Sequence, residues 1–202
     1  MTNLFPIAAI VLSYFLGNIS PAILIGRAMG IDIRGQGSGN AGTTNVLRVL
    51  GKKAAAATLI VDILKGTAAV LLGNYIGGQE LALVCGIAVM AGHIWPIVFQ
   101  FRGGKGIATT FGVVLTLEPL LGLIEAAVAL IFMLVSQRVS VGSLTAAVLL
   151  PFAAWYFDPA YVPATAVMAV IVIWKHRANI KRLIRKEEPK VNFRTSRREN
   201  DE

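Results

Sequence analysis

Charge is what this chain has least of. Charged residues fill 15% of its 202 positions, where a soluble domain carries about 25%. Hydrophobic residues fill 55%, and the mean hydropathy is +0.68. That balance excludes an ordinary water-soluble globule and argues a polytopic membrane protein. Cysteine is nearly absent. The one thiol, Cys85, lies in an apolar run, cannot form an intrachain disulfide and says little about compartment. No lysine or arginine precedes the first apolar run in MTNLF, which makes a poor secretory signal peptide, so Leu4 onward is expected to stay as a first span. No hydrophilic linker divides the chain, and there is no internal repeat or low-complexity tract. One membrane domain over 1–186 is expected, followed by a charged, flexible cytoplasmic tail over 187–202.

Acidic residues are the scarcer charges, 11 against 19 basic ones, which leaves a net charge of +8. The bases sit at the borders of apolar runs and in the tail after Trp174. There they read as a topology signal and not as a nucleic-acid surface.

A helix needs roughly 17–25 apolar residues to cross the hydrocarbon. Candidate segments are 4–26, 54–77, 81–101, 107–117, 119–136, 141–157 and 161–175. The fourth is short and could be a re-entrant hairpin. Charge arbitrates. The segments 27–53, 102–106, 137–140 and the tail carry bases, while the intervening breaks carry none. This alternation fits an all-α fold of seven transmembrane helices, N-terminus outside and C-terminus cytoplasmic. Dropping the fourth crossing would put the basic tail outside, so it is kept, extended by flanking residues or lying in a locally thin region.

That topology collects the unusual polar segments on one face: GSGNAGTTNVLR (37–48), FRGGKGIATT (101–110), RVSVGS (138–143) and WKHRANIKRL (174–183). GSGNAG formally fits the dinucleotide fingerprint, with Asp62 following Gly42, but Asp62 lies in a membrane run and no βαβ unit surrounds it. GGKG lacks the rest of a P-loop. The physics common to the segments is more informative. Glycines allow backbone N–H groups to form an anion-binding nest, and Ser, Thr and Asn add neutral donors. Arg48 can grip a phosphate bidentately, Lys105 supplies a compact charge, and His176, Arg177 and Asn179 add donors. Loop turns and orientation signals would explain any one segment. Four together suggest a site for phosphate groups at the membrane border.

Other residues have plainer readings. Asp62 and Lys65 are spaced i, i+3 for a local ion pair. His93 suits a structural hydrogen bond or a substrate contact equally. Trp95 and Trp174 fit interfacial anchoring. Gly73 and Gly77 form G-x-x-x-G, which suits close helix packing.

GSGNAGTTNVLR, then GGKGIATT, then HRANIKRL resemble, in order and spacing, the three motifs of the bacterial integral-membrane glycerol-3-phosphate acyltransferases that use acyl phosphate. The likeness covers nearly the whole chain. Each motif is weak alone; together they are specific. The resemblance implies transfer of a fatty acyl group from acyl phosphate to the 1-hydroxyl of glycerol 3-phosphate. The products are lysophosphatidic acid and inorganic phosphate, in phospholipid biosynthesis at the bacterial inner membrane. It implies no metal and no cofactor, and a soluble acyl-phosphate-producing enzyme as a candidate partner. It implies substrate roles for Ser38, Asn40, Thr44, Asn45 and Arg48, phosphate binding by Gly103, Gly104 and Lys105, and a place in the site for His176 and Asn179. A serine before the sixth helix is matched best by Ser143, with Ser140 second.

An acyl phosphate is an activated mixed anhydride, so the expected chemistry is direct transfer without an acyl-enzyme. Either His176 or the substrate phosphate takes the proton. Ser38 as a covalent nucleophile is the rival. A transporter of a small phosphorylated or anionic solute, or a non-catalytic assembly factor, are alternatives from other classes.

Overall fold

A computed structural model describes residues 4–191. In hydrocarbon the backbone must satisfy its own hydrogen bonds, which makes the apolar runs helical. Helix α1 (Leu4–Gly17) gives way at Asn18–Ser20 to α2 (Pro21–Ala28), where a proline opens the first turn. A short polar loop leads to α3 (Thr43–Val49). Helix α4 (Lys52–Ile94) follows with 43 residues. Straight, it would measure about 65 Å, twice the hydrocarbon thickness. It is not straight. Gly77 and Gly78 leave helical geometry, Gly78 with φ of +73°, a value that favours glycine. Beyond them the chain folds back, so that Gly73 lies against the backbone of Leu81 and Ala82. The close packing expected of Gly73 is therefore used inside this helical hairpin.

Then come α5 (Ile107–Leu117), α6 (Pro119–Ser136), α7 (Val139–Phe157), α8 (Val162–Lys175) and α9 (Arg177–Ile184). Pro159–Lys175 and Arg177–Ile184 meet at 57°. Among the described residues, four helical stretches are long and apolar enough to cross a bilayer, five when this bent pair counts as one. The seven segments expected from the sequence differ from this for two reasons. The doubled-back α4 counts once by length, and α5 has only 11 residues. Short as it is, α5 is packed inside protein: Gly112 presses on Ile63, and Gly66 presses on Thr109.

The core joins α4, α5, α7 and α8 through Val89, Met90, Ile94, Val113, Ala147, Met168 and Val172. Outside it, Phe5, Leu12, Leu71, Phe132, Phe152 and Trp155 are exposed, the arrangement of a protein whose outer solvent is lipid. The chain is a multi-pass membrane protein.

The first described residues of the tail make contacts with the bundle. Glu188 is buried, its carbonyl accepts from Arg138 Nε at 3.1 Å, and Val191 N–H donates to Gln137 O at 2.8 Å. This stretch lies on the turn between α6 and α7. Residues 192–202 lie outside the described residues.

Candidate active site

The first polar loop is wrapped around one amide. Asn45 is buried on α3, its Oδ1 accepts from Ser38 N–H at 2.8 Å, and its Nδ2 donates to Ile33 O at 3.1 Å and Gln36 O at 3.0 Å. Both amide hydrogens and one acceptor position of Asn45 thus hold the loop together. The loop presents Ser38 and Asn40, with Thr44 and Arg48 following on α3. Arg48 is exposed, and its guanidinium has no hydrogen-bond or ion-pair partner among the described residues.

The second segment is held against the end of α4. Gly103 N–H donates to Ile94 O at 3.3 Å and Gly104 N–H to His93 O at 3.1 Å. Both amides cap the carbonyl end of α4, and neither glycine lines the cavity described below. Their lack of a side chain serves close approach. A Cβ on Gly103 would strike the His93 carbonyl, and one on Gly104 would strike the His93 imidazole. The loop is laid flat on the end of α4, and Lys105 emerges from it toward α9.

Lys105 Nζ donates to Asn179 Oδ1 at 2.5 Å, and Asn179 Nδ2 donates to Glu188 Oε1 at 2.6 Å. Arg182 Nε closes the chain on Glu188 Oε2 at 2.7 Å. Burial pushes the Lys105 ammonium down to about 8; Glu188 opposes this, while Arg182 and Arg48 add to it. His176 sits at the break between α8 and α9. Its Nδ1 lies 2.8 Å from Val172 O. A carbonyl only accepts, so Nδ1 carries the proton and Nε2 is left with its lone pair. Burial first, then the Lys105 charge, pushes this imidazole down to about 4.

These groups converge on one cavity of about 560 Å³. Ser38, Asn40, Thr44, Arg48, Lys105, Ser143, His176 and Asn179 all line it, as do Asn45 and Ser140. Both candidate serines, Ser140 and Ser143, are buried on the first turns of α7, so the structure admits both. Much of the rest of the wall is apolar, including Leu59, Phe111, Leu130, Met133, Leu150 and Met168. Polar donors and apolar side chains thus line the same cavity.

Two wall residues escaped the sequence reading. Glu188 stood in a charged string, KEEPK, that looked solvated. Glu125 is a buried acid on α6 whose Oε1 has no partner among the described residues. A lone carboxylate inside LIEAAVALIF was a signal that could have found it, because such residues are costly in a membrane. The expected Asp62–Lys65 ion pair is present at 2.6 Å.

The glycerol-3-phosphate acyltransferase family model matches residues 7–186. The chain belongs to this family. Among its acyltransferase relatives, one from Thermoanaerobacter sp. (strain X514) is 44% identical over 196 residues, covering 95% of this chain and 98% of that one. One from Alkaliphilus metalliredigens (strain QYMF) is 44% identical over 188 residues, covering 93% and 96%. The fold agrees with the crystal structure of PlsY (YgiH), an integral membrane glycerol 3-phosphate acyltransferase, in its glycerol 3-phosphate form. The TM-score is 0.89 at 32% identity, over 93% of this chain and 96% of that one. The lysophosphatidic acid form of the same protein gives a TM-score of 0.87.

Proposed function

We propose that this acyltransferase moves a fatty acyl group from acyl phosphate to the 1-hydroxyl of glycerol 3-phosphate. The products are 1-acyl-glycerol 3-phosphate and inorganic phosphate. One observation carries this reading: cationic and neutral donors share a single cavity with a largely apolar wall. Both substrates bear phosphate, and one also bears a lipid chain. The polar donors suit the phosphates, and the apolar wall suits the chain.

The mixed anhydride is already activated. The enzyme has to hold the hydroxyl against the acyl carbon, stabilise the tetrahedral oxyanion and neutralise the departing phosphate. Lys105 and Arg48 supply the charge. Ser38, Asn40, Thr44 and Ser143 supply neutral donors. Asn179 is a positioning residue that aims Lys105. The carbon–oxygen bond to the acceptor forms as the bond to phosphate breaks, and no acyl-enzyme intervenes. His176 Nε2 is a weak base at about 4. The second ionisation of a phosphate monoester, about 6, lies closer to working pH, so the acceptor's own phosphate takes the proton. The scheme balances without a cofactor.

The basic loops support seven crossings, with the N-terminus outside and the site on the cytoplasmic side of the bacterial inner membrane. The acceptor then enters from the cytosol, and the donor is delivered by a soluble acyl-phosphate-producing enzyme. Purified protein in liposomes separates this reading from solute transport. Lysophosphatidic acid made without accumulation of glycerol 3-phosphate supports the enzyme. Flux of the phosphate ester without product would sink it.

A further inference from the structure

A second imidazole borders the cavity, and its partners decide which ring nitrogen carries the proton. His93 lies in the last turn of α4, 6% exposed, with Gly103 and Gly104 laid across it. Three polar atoms form a triangle beneath it. Lys65 Nζ is 2.6 Å from Asp62 Oδ1 and 2.8 Å from His93 Nδ1, while His93 Nδ1 is 3.2 Å from Asp62 Oδ1. Lys65 also donates to Ile19 O at 2.8 Å and Gly17 O at 3.3 Å. Lys65 is an ammonium that can only donate, and its three N–H groups go to His93 Nδ1 and the two carbonyls, while Asp62 beside it supplies the balancing charge. At 2.8 Å it makes Nδ1 the acceptor, which puts the ring proton on Nε2. The opposite tautomer would set two N–H groups against each other across the shorter side of the triangle. It would gain only the longer contact to Asp62.

Nε2 has no hydrogen-bond partner among the described residues, yet it is not one of the fully enclosed unpartnered atoms. His93 and Asp62 both line the cavity that holds Lys105 and His176. The ring reaches this position because residue 104 has no Cβ to block it. The pair of imidazoles is complementary: His176 offers a lone pair, His93 an N–H.

We propose that His93 Nε2–H is a further donor to a phosphate oxygen in this site, with Lys65 and Asp62 as positioning residues that hold its tautomer and ring plane. This rests on the substrate reading given above. It gives a reason for three ionisable groups to be kept in the interior of the bundle, where unpaired charge is costly. It also assigns Gly104 a role without phosphate contact of its own.

The chain has two histidines, so the test is uncluttered. The full-length protein, 15N-labelled at histidine, is studied by NMR in detergent, with a His176→Asn variant to assign His93. The expected result is an Nε2–H tautomer for His93 and an Nδ1–H tautomer for His176. Titration with glycerol 3-phosphate should move the His93 Nε2 signal. A response to inorganic phosphate alone would place the donor at the leaving phosphate instead, and equally supports the assignment. A His93 Nδ1–H tautomer would overturn it. So would a His93 ring unmoved by both ligands while His176 responds, with the substrate reading intact. If neither ring responds, that reading fails as well.

Kinetics give a second handle. His93→Gln keeps an N–H near the Nε2 position, and His93→Leu does not. In variants with unchanged melting temperature, Gln should keep kcat/KM within about tenfold, and Leu should lose about a hundredfold, the scale of one oxyanion donor. Equal losses in the two would contradict a donor role.

Discussion

Lys105 Nζ and Asn179 Oδ1 stand 2.5 Å apart although 74 residues separate them in sequence. The contact joins the loop after α4 to the first turns of α9. Because Asn179 is itself fixed by Glu188, the ammonium is aimed before any substrate arrives, which is where preorganised electrostatic stabilisation comes from.

Lys105→Ala should lower turnover by at least about a hundredfold, and Lys105→Arg should restore only part of it, because a planar fork does not replace a compact ammonium. The wild-type pH profile carries a further sign. The charged form is the useful one, and with the group at about 8, that form prevails below this pH and is lost as pH rises through it. kcat/KM should therefore fall on the alkaline side in wild type, and this limb should be absent in the residual activity of Lys105→Arg. Wild-type rates in folded Lys105→Ala would remove the loop from the site.

Glu188→Gln tests the far end of the same chain. It removes the charge that Arg182 and Asn179 both bond. Hydrogen bonds to charged groups contribute about 1.5–3 kcal/mol, so kcat/KM should drop roughly tenfold to a hundredfold, with a lower melting temperature. Unchanged kinetics would show that the tail contact does not aim Lys105.

Much of this was legible in the sequence. Charge scarcity and apolar runs specify a helical membrane protein, and the spacing of motifs around Ser38, Lys105 and His176 specifies which segments meet. The structure adds which atoms remain available. Asn45 was read as a substrate ligand because amides suit phosphates; nothing local revealed that it would also tie Ser38, Ile33 and Gln36 together. Gly103 and Gly104 were read as an anion nest because glycine permits one; that their amides also cap the carbonyl end of α4 was not visible locally. Glu188 was illegible for the opposite reason. A carboxylate in a charged string is ordinarily solvated, and only the return of the chain across α9 buries it.

Topology has its own check. A reporter fused after Glu202 should read cytoplasmic, and one placed before Met1 external, following the alternation of basic loops. Labelling of the tail from the outer side would overturn the seven crossings and the shared face together.

The two proton acceptors differ in where the acidic limb of kcat falls. If the substrate phosphate takes the proton, the limb should lie near about 6 and move up with a phosphonate analogue of raised second pKa. If His176 does, the limb should lie near about 4, ignore the analogue, and vanish together with nearly all turnover in His176→Gln. Surviving turnover in His176→Gln at saturating glycerol 3-phosphate would favour the phosphate.

The most direct test is a product balance with purified protein in detergent. Acyl phosphate and glycerol 3-phosphate are supplied, acyl thioesters are offered in a parallel reaction, and lysophosphatidic acid and inorganic phosphate are both measured. Equimolar formation of the two products from acyl phosphate, none from thioesters, and near-complete loss in Lys105→Ala is the expected result. Phosphate release uncoupled from lysophosphatidic acid, or product from thioesters alone, would contradict it.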